Sequence, residues 1–126
     1  MKPPAARRVL IVEDHEDARS MMSDLFEMWG HDVSTSSNGR EAMARMSDWQ
    51  PEIAFIDIGL PDMDGCELGR QIRANPAGNA VYLVALTGLG LPAVRDQINA
   101  AGFDEHLIKP ADPERLKALV DNLGSR

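Results

Sequence analysis

Four places in the chain carry side chains that could do chemistry together: Glu13-Asp14, Asp57, Thr87 and Lys109-Pro110. Each ends a short, β-rich apolar run: VLIV before Glu13, IAFI before Asp57, VYLVAL before Thr87 and HLI before Lys109. Carboxylates crowded at one spot repel one another, so they either hold a proton or recruit a cation. All-oxygen ligation without His or Cys suits a hard ion, Mg²⁺ or Mn²⁺. A lysine ammonium and a threonine hydroxyl are the groups expected around phosphoryl oxygens. A carboxylate can itself be the nucleophile and become an aspartyl phosphate. Singly, each residue has a plainer reading. Asp14 could cap a helix starting near Glu16, Thr87 could be a strand residue, and a lysine before proline is usually a solvated loop residue. Their joint placement at successive strand ends makes the chemical reading the stronger one.

That placement depends on the elements between them. Strands are expected at Val9 to Val12, Asp32 to Ser36 (edge-like), Ile53 to Asp57, Val81 to Thr87 and Glu105 to Ile108. Between them run amphipathic helical stretches. From Glu16 to Trp29, Ala18, Met21, Met22, Leu25, Phe26 and Trp29 recur at helical spacing, and Gly30 ends the run. Further helices are expected at Arg40 to Trp49, from the Asp64 cap to Ala74, at Ala93 to Ala101, and from the Asp112 cap through Pro113 to Leu123. Strand–helix alternation implies an α/β domain: a parallel five-stranded sheet, doubly wound, with helices on both faces. The flavodoxin-like (βα)5 strand order 2-1-3-4-5 is the natural choice, with ligands bound beyond the carboxyl ends of the strands at the switch between the first and third.

The bulk composition sets bounds. The 126 residues fit a single domain, and an apolar fraction of 44% is that of a globular chain. A net charge of −7 argues against direct binding to nucleic acid or anionic membrane. No apolar run approaches the length of a membrane span. The basic start MKPPAARR leads only into Val9 to Val12 and then acids, which is not a signal-peptide pattern, so a cytoplasmic location is expected. Single Cys66 rules out an internal disulfide and reads as a small buried or semi-buried residue. The expected layout is a flexible tail over residues 1–7, one domain over 8–123 and a short tail over 124–126.

The stretches VLIVEDHEDAR, FIDIGLPDMDGCEL, VALTG and AGFDEHLIKP resemble the motifs of response-regulator receiver domains of two-component systems. The resemblance runs from about Arg8 to Leu123. It implies that Asp57 accepts a phosphoryl group from a phosphohistidine on a histidine kinase or histidine phosphotransfer protein. It implies that Glu13, Asp14, Asp57 and the backbone carbonyl of Gly59 serve a Mg²⁺ (or Mn²⁺) ion, Glu13 mostly through water. Thr87, with Gly88 and the loop that follows, would move toward the phosphoryl group. Lys109 would pair with it, and the Lys109-Pro110 bond would be cis. Such a domain is a phosphorylation-controlled regulator rather than an enzyme. Its output would pass through the face formed by the fourth helix, fifth strand and fifth helix to a protein partner. The chain would be a free-standing receiver or part of a hybrid histidine kinase.

The pattern departs from the family at His106, where an aromatic switch residue is usual. A histidine there is either a half-exposed polar strand residue or a switch with altered preferences. Gly59 and Leu89 stand where the family tunes dephosphorylation, and neither side chain can position a water, so a fairly long-lived phosphoryl state is expected. Met21 and Met22 lie on the apolar stripe of the first helix and are expected in the core. Met28 is off it and could face the phosphodonor. Two other readings remain. One is a Mg²⁺-dependent aspartyl-phosphate phosphatase or phosphotransferase, although Gly59 replaces the acid expected two residues after the nucleophile. The other is a phosphorylation-independent receiver acting only as an interaction module. A flavin-type cofactor site has no phosphate loop after the first strand to support it.

Overall fold

The computed structural model describes residues 6–76, 80–88 and 92–123. Five strands alternate with five helices. These are β1 (Arg8–Val12), α1 (Glu16–Met28), β2 (Asp32–Ser36), α2 (Gly39–Asp48), β3 (Ile53–Asp57), α3 (Gly65–Ala74), β4 (Tyr82–Thr87), α4 (Pro92–Ala100), β5 (Glu105–Ile108) and α5 (Pro113–Asp121). All strand pairs are parallel and the order is β2-β1-β3-β4-β5, as the alternation predicts. Among the described residues no helix is long and apolar enough to cross a membrane.

The pleat sorts each central strand into two faces. Leu10, Val12, Ala54, Ile56, Leu83 and Ala85 point to one side and bury Ala42, Met46, Leu68, Ile72 and Ile98 from α2, α3 and α4. Val9, Ile11, Ile53, Phe55, Val84 and Leu86 point to the other and bury Met22, Phe26, Leu116 and Val120 from α1 and α5. Phe26 and Phe55 stack with centroids 5.1 Å apart. Each such ring, fully buried, stabilises the domain by roughly 1.5–3 kcal/mol. β1, β3 and β4 are covered on both faces, which is why they read as unbroken apolar runs. β2 lies at the edge and alternates instead, with Ser34 and Ser36 inward.

Several local expectations change. Asp14 does not cap α1: His15 occupies the cap position and makes no side-chain capping bond. Met21 is 46% exposed rather than buried, because the stripe facing the sheet is narrower than the apolar spacing suggests; Met22 beside it is in the core. Met28 is exposed and Cys66 buried. Asn38, Asp64 and Asp112 cap their helices through their side chains. Residues 1–5, Leu89, Gly90 and the tail 124–126 lie outside the described residues. Arg7, placed in the flexible tail by sequence, is tied down. Its N–H donates to His31 Nδ1 (3.0 Å) and its guanidinium to Glu52 (2.9 Å).

Candidate functional site: an acidic rim at the carboxyl ends of the strands

Parallel strands in register bring their ends to one rim. β1 and β3 run side by side with Val12 opposite Ile56, so Glu13 and Asp57 leave the sheet next to each other. β4 and β5 pair Thr87 with Ile108, which brings Lys109 up beside them, and the Lys109 N–H donates to the Thr87 carbonyl (2.8 Å). The Lys109 ammonium lies 2.9 Å from Glu13 Oε1 and 3.2 Å from Asp57 Oδ2. The Gly59 N–H donates to Asp57 Oδ1 (3.0 Å). The Lys109-Pro110 peptide bond is cis.

Burial makes this cluster unlike an ordinary surface ion pair. The Glu13 side chain is 1% exposed and that of Asp57 9%. Burial and the neighbouring Asp57 push the Glu13 carboxyl above its usual range, against the pull of Lys109. Burial also opposes ionisation of Asp57, but bonds from the Glu13 side chain, the Gly59 N–H and Lys109 outweigh it and hold Asp57 low. The two carboxyls therefore titrate as a coupled pair in which Asp57 is the more acidic partner. Burial likewise works against charge on Lys109, and the two carboxyls more than offset it, so the ammonium stays charged.

Two carboxyls facing one ammonium leave the rim short of positive charge. Asp14 is exposed beside them, and its carbonyl and that of Glu13 face the Arg19 guanidinium. Glu13, Asp14 and Asp57 supply carboxylate oxygens at this rim, the donor chemistry that suits a small hard cation, and such an ion would bring the missing charge. The donor set therefore fits Mg²⁺ or Mn²⁺. His15 was not singled out by sequence, yet one ligand atom each from Glu13, Asp14 and His15 lies within 4.8 Å of the others. Its position just after two acids was the available signal.

Other residues frame the rim. Gly65 must be glycine: a Cβ there would sit 2.6 Å from the Asp57 carbonyl oxygen and from Ile58 Cα. Its N–H closes the loop after β3 by donating to the Ile58 carbonyl (2.8 Å). Thr87 is buried at the end of β4, and a Cβ on Gly88 would meet nothing within 4 Å. A Cβ at Gly59 would lie 3.8 Å from Asp57 Oδ1, an ordinary van der Waals contact. His106 is half-buried on β5, one residue along from the 53%-exposed Ile108's neighbour Leu107. It lines a groove of about 490 Å³ with Glu105, Ile108, Asp112 and Arg115.

The chain is similar to known proteins in sequence and fold. Residues 9–121 match the family model for the response regulator receiver domain. An uncharacterised 14.6 kDa protein of Leptolyngbya boryana is 32% identical over 95% of this chain and 92% of its own length. The two-component response regulator PhoP of Pseudomonas aeruginosa is 32% identical over 92% of this chain, which spans only 51% of PhoP. Among solved structures, a response regulator from Chloroflexus aurantiacus superposes with a TM-score of 0.89 at 26% identity, covering 96% of this chain and 99% of that one. The receiver domain of a Pseudomonas aeruginosa sensor histidine kinase, which coordinates magnesium in its active-site cleft, superposes with a TM-score of 0.87 at 26% identity, covering 94% and 98%. With the motif residues gathered on one rim of a 2-1-3-4-5 sheet, the chain belongs to the response regulator receiver domain family.

Proposed function

We propose that this chain is a phosphorylation-controlled switch whose phosphoacceptor is Asp57. The observation that carries the reading is the Asp57 carboxyl, held between the Gly59 N–H and the Lys109 ammonium in a largely buried acidic rim. A carboxylate oxygen of Asp57 attacks the phosphorus of a phosphohistidine on a histidine kinase or phosphotransfer protein. A P–O bond forms, the P–N bond breaks, and its electron pair returns to the imidazole nitrogen. Lys109 is kept charged and close enough to neutralise oxygens gathering on Asp57. Glu13, Asp14, Asp57 and the Gly59 carbonyl would hold Mg²⁺ or Mn²⁺. A bound ion supplies charge neutralisation between the acidic rim and the incoming phosphoryl group.

Transfer changes what the rim can bind. Thr87 and Gly88 stand beside Asp57 on the next strand, so a phosphoryl group there gives the Thr87 hydroxyl and the Gly88 backbone a new acceptor. The conformer that makes those bonds is the one the phosphoryl group favours. The readout runs to the face of α4, β5 and α5, where His106 takes the place of the family's aromatic. The exposed Ile108 and the groove beside it support a protein partner there. A cleft of about 370 Å³ beside the rim, lined by His15, Ala18, Met21, Met22 and Pro110, supports docking of the phosphodonor. Gly59 offers no side chain to hold an attacking water, which favours a long-lived phosphoryl state. Incubation with Mg²⁺ and acetyl phosphate, read by intact mass, tests the reading. The expected result is a gain of one phosphate in the wild type and none in Asp57→Ala. Steady hydrolysis of the donor without accumulation would support an enzyme instead.

A further inference from the structure

The loop after β3 carries Gly59 at its start and is closed at its base by the Gly65 N–H to Ile58 carbonyl bond. Its tip is fastened to a different element. The Asp62 carboxylate accepts the Gly39 N–H on one oxygen (2.8 Å) and the Arg40 N–H on the other (3.1 Å). These are the first two donors of α2, left over because the helix's own cap, Asn38, takes the Glu41 N–H (2.9 Å). Met63 packs beneath the same point: a Cβ on Gly39 would fall 2.7 Å from Met63 Cγ. The two N–H donors hold the exposed Asp62 carboxyl below its usual range, Gly39 contributing most. The loop is thus clamped inside by Asp57 on Gly59 and outside by α2 on Asp62 and Met63.

We propose that Asp62 is a positioning residue for the phosphoacceptor site: by docking the loop on α2 it sets the Gly59 backbone against Asp57, and so sets the affinity of the rim for its cation. The inference rests on the cation-dependent reading above. Asn38 already caps α2, so the second, cross-loop pair of bonds serves the loop. Three peptide bonds separate Asp62 from Gly59, with Pro61 stiffening the link, so loss of the outer clamp is felt at Gly59. Residues that orient metal ligands in this indirect way commonly govern affinity about tenfold or more.

The test uses the whole chain. Mg²⁺ binding is measured by calorimetry, and the initial rate of labelling by acetyl phosphate is followed as Mg²⁺ is raised, with urea unfolding recorded for each variant. Asp62→Ala is expected to raise both the Mg²⁺ dissociation constant and the half-saturating Mg²⁺ by about three- to tenfold. The plateau rate, read at saturating Mg²⁺, is expected to change less than the half-saturating Mg²⁺ does. Asp62→Asn keeps one acceptor oxygen and should fall between the two. Gly39→Ala, which displaces Met63 from the helix side, should shift the midpoint in the same direction and gives the answer if Asp62→Ala does not fold. Unchanged Mg²⁺ affinity in the folded variants, or a shift only in urea stability, would overturn the proposal. A wild-type chain that binds Mg²⁺ but accepts no phosphate would sink the proposed function while the calorimetry still decides on Asp62.

Discussion

The two ends of the sheet carry charge clusters that mirror each other. At the carboxyl end, two carboxyls face one ammonium: Glu13 and Asp57 around Lys109. At the amino end, two guanidiniums face one carboxylate: Arg7 and Arg8 around Glu52, at 2.9 and 3.6 Å. Stoichiometry alone would make both unbalanced. Burial separates them. The surplus cation, Arg8, is 44% exposed and water screens it. The surplus carboxyl, Glu13, is 1% exposed and has no such relief. Glu52 is accordingly held below its usual range, since the Arg7 and Arg8 bonds exceed the cost of its partial burial, whereas Glu13 is pushed up. One end is a structural ion-pair clamp, in which Arg7 Nε is nevertheless buried without a hydrogen-bond partner. The other has room in its charge balance for a further cation, which fits the proposed cation-assisted phosphoacceptor.

Removing a cation at each end should break the symmetry most visibly. Without divalent cation at pH 7, Lys109→Met should lower unfolding free energy by about 2 kcal/mol, because it strips two buried carboxyls of their partner. Arg8→Ala should cost less than about 1 kcal/mol. Urea denaturation of the two variants side by side checks this, and equal losses would erase the distinction drawn from burial.

Adding a cation should act only at the carboxyl end. With Mg²⁺ at ten times its dissociation constant, unfolding free energy should rise by about 1.4 kcal/mol, and chelation with EDTA should remove the gain. Asp57→Asn should show little of it, while Glu52→Gln should keep it whole. Thermal melts with and without Mg²⁺ read the difference.

Smaller effects sharpen the amino end. Glu52→Gln should cost about 1 kcal/mol or less, and less again in high salt. The Glu52 pKa is lowered on folding, so its contribution is fully present above the unfolded value near 4.5 and is lost as pH falls through the lower folded value. In the variant that acid-side loss should shrink. His31 should add a slope in a separate window. Burial lowers its pKa, with Lys117 and Arg7 adding to this and Asp121 and Glu52 opposing it. Its neutral Nδ1 accepts the Arg7 N–H. The unfolded chain therefore takes up the proton first, and stability should fall as pH drops below about 6.5 toward the lower folded value. Urea midpoints across that window should flatten in His31→Asn, which can keep an acceptor without titrating.

The sequence made the carboxyl-end rim legible because parallel strands convert one-dimensional position into shared location. A residue just past an apolar run must arrive at the rim, so Glu13, Asp57, Thr87 and Lys109 could be grouped before any coordinates. Capping was legible where Asp stood at a helix start, as at Asp64 and Asp112, but the Asn38 cap was not. At Asp14 the plainer reading, a helix cap, does not apply, because His15 takes the cap position. Met21 was misplaced because helical spacing marks a stripe but not its width. The amino-end clamp escaped notice because Arg7, Glu52 and His31 belong to three separate loops and meet only through strand register. Asp62 escaped for a similar reason, its partners lying 23 and 22 residues away at the start of α2.

The central claim concerns which atom takes the phosphoryl group. Reductive trapping with borohydride after acetyl phosphate treatment converts an aspartyl phosphate to homoserine, and peptide mass spectrometry then locates it. The expected result is homoserine at residue 57 alone, dependent on Mg²⁺. Modification at Asp14, at another carboxylate or at a histidine, with Asp57 untouched, would contradict the account.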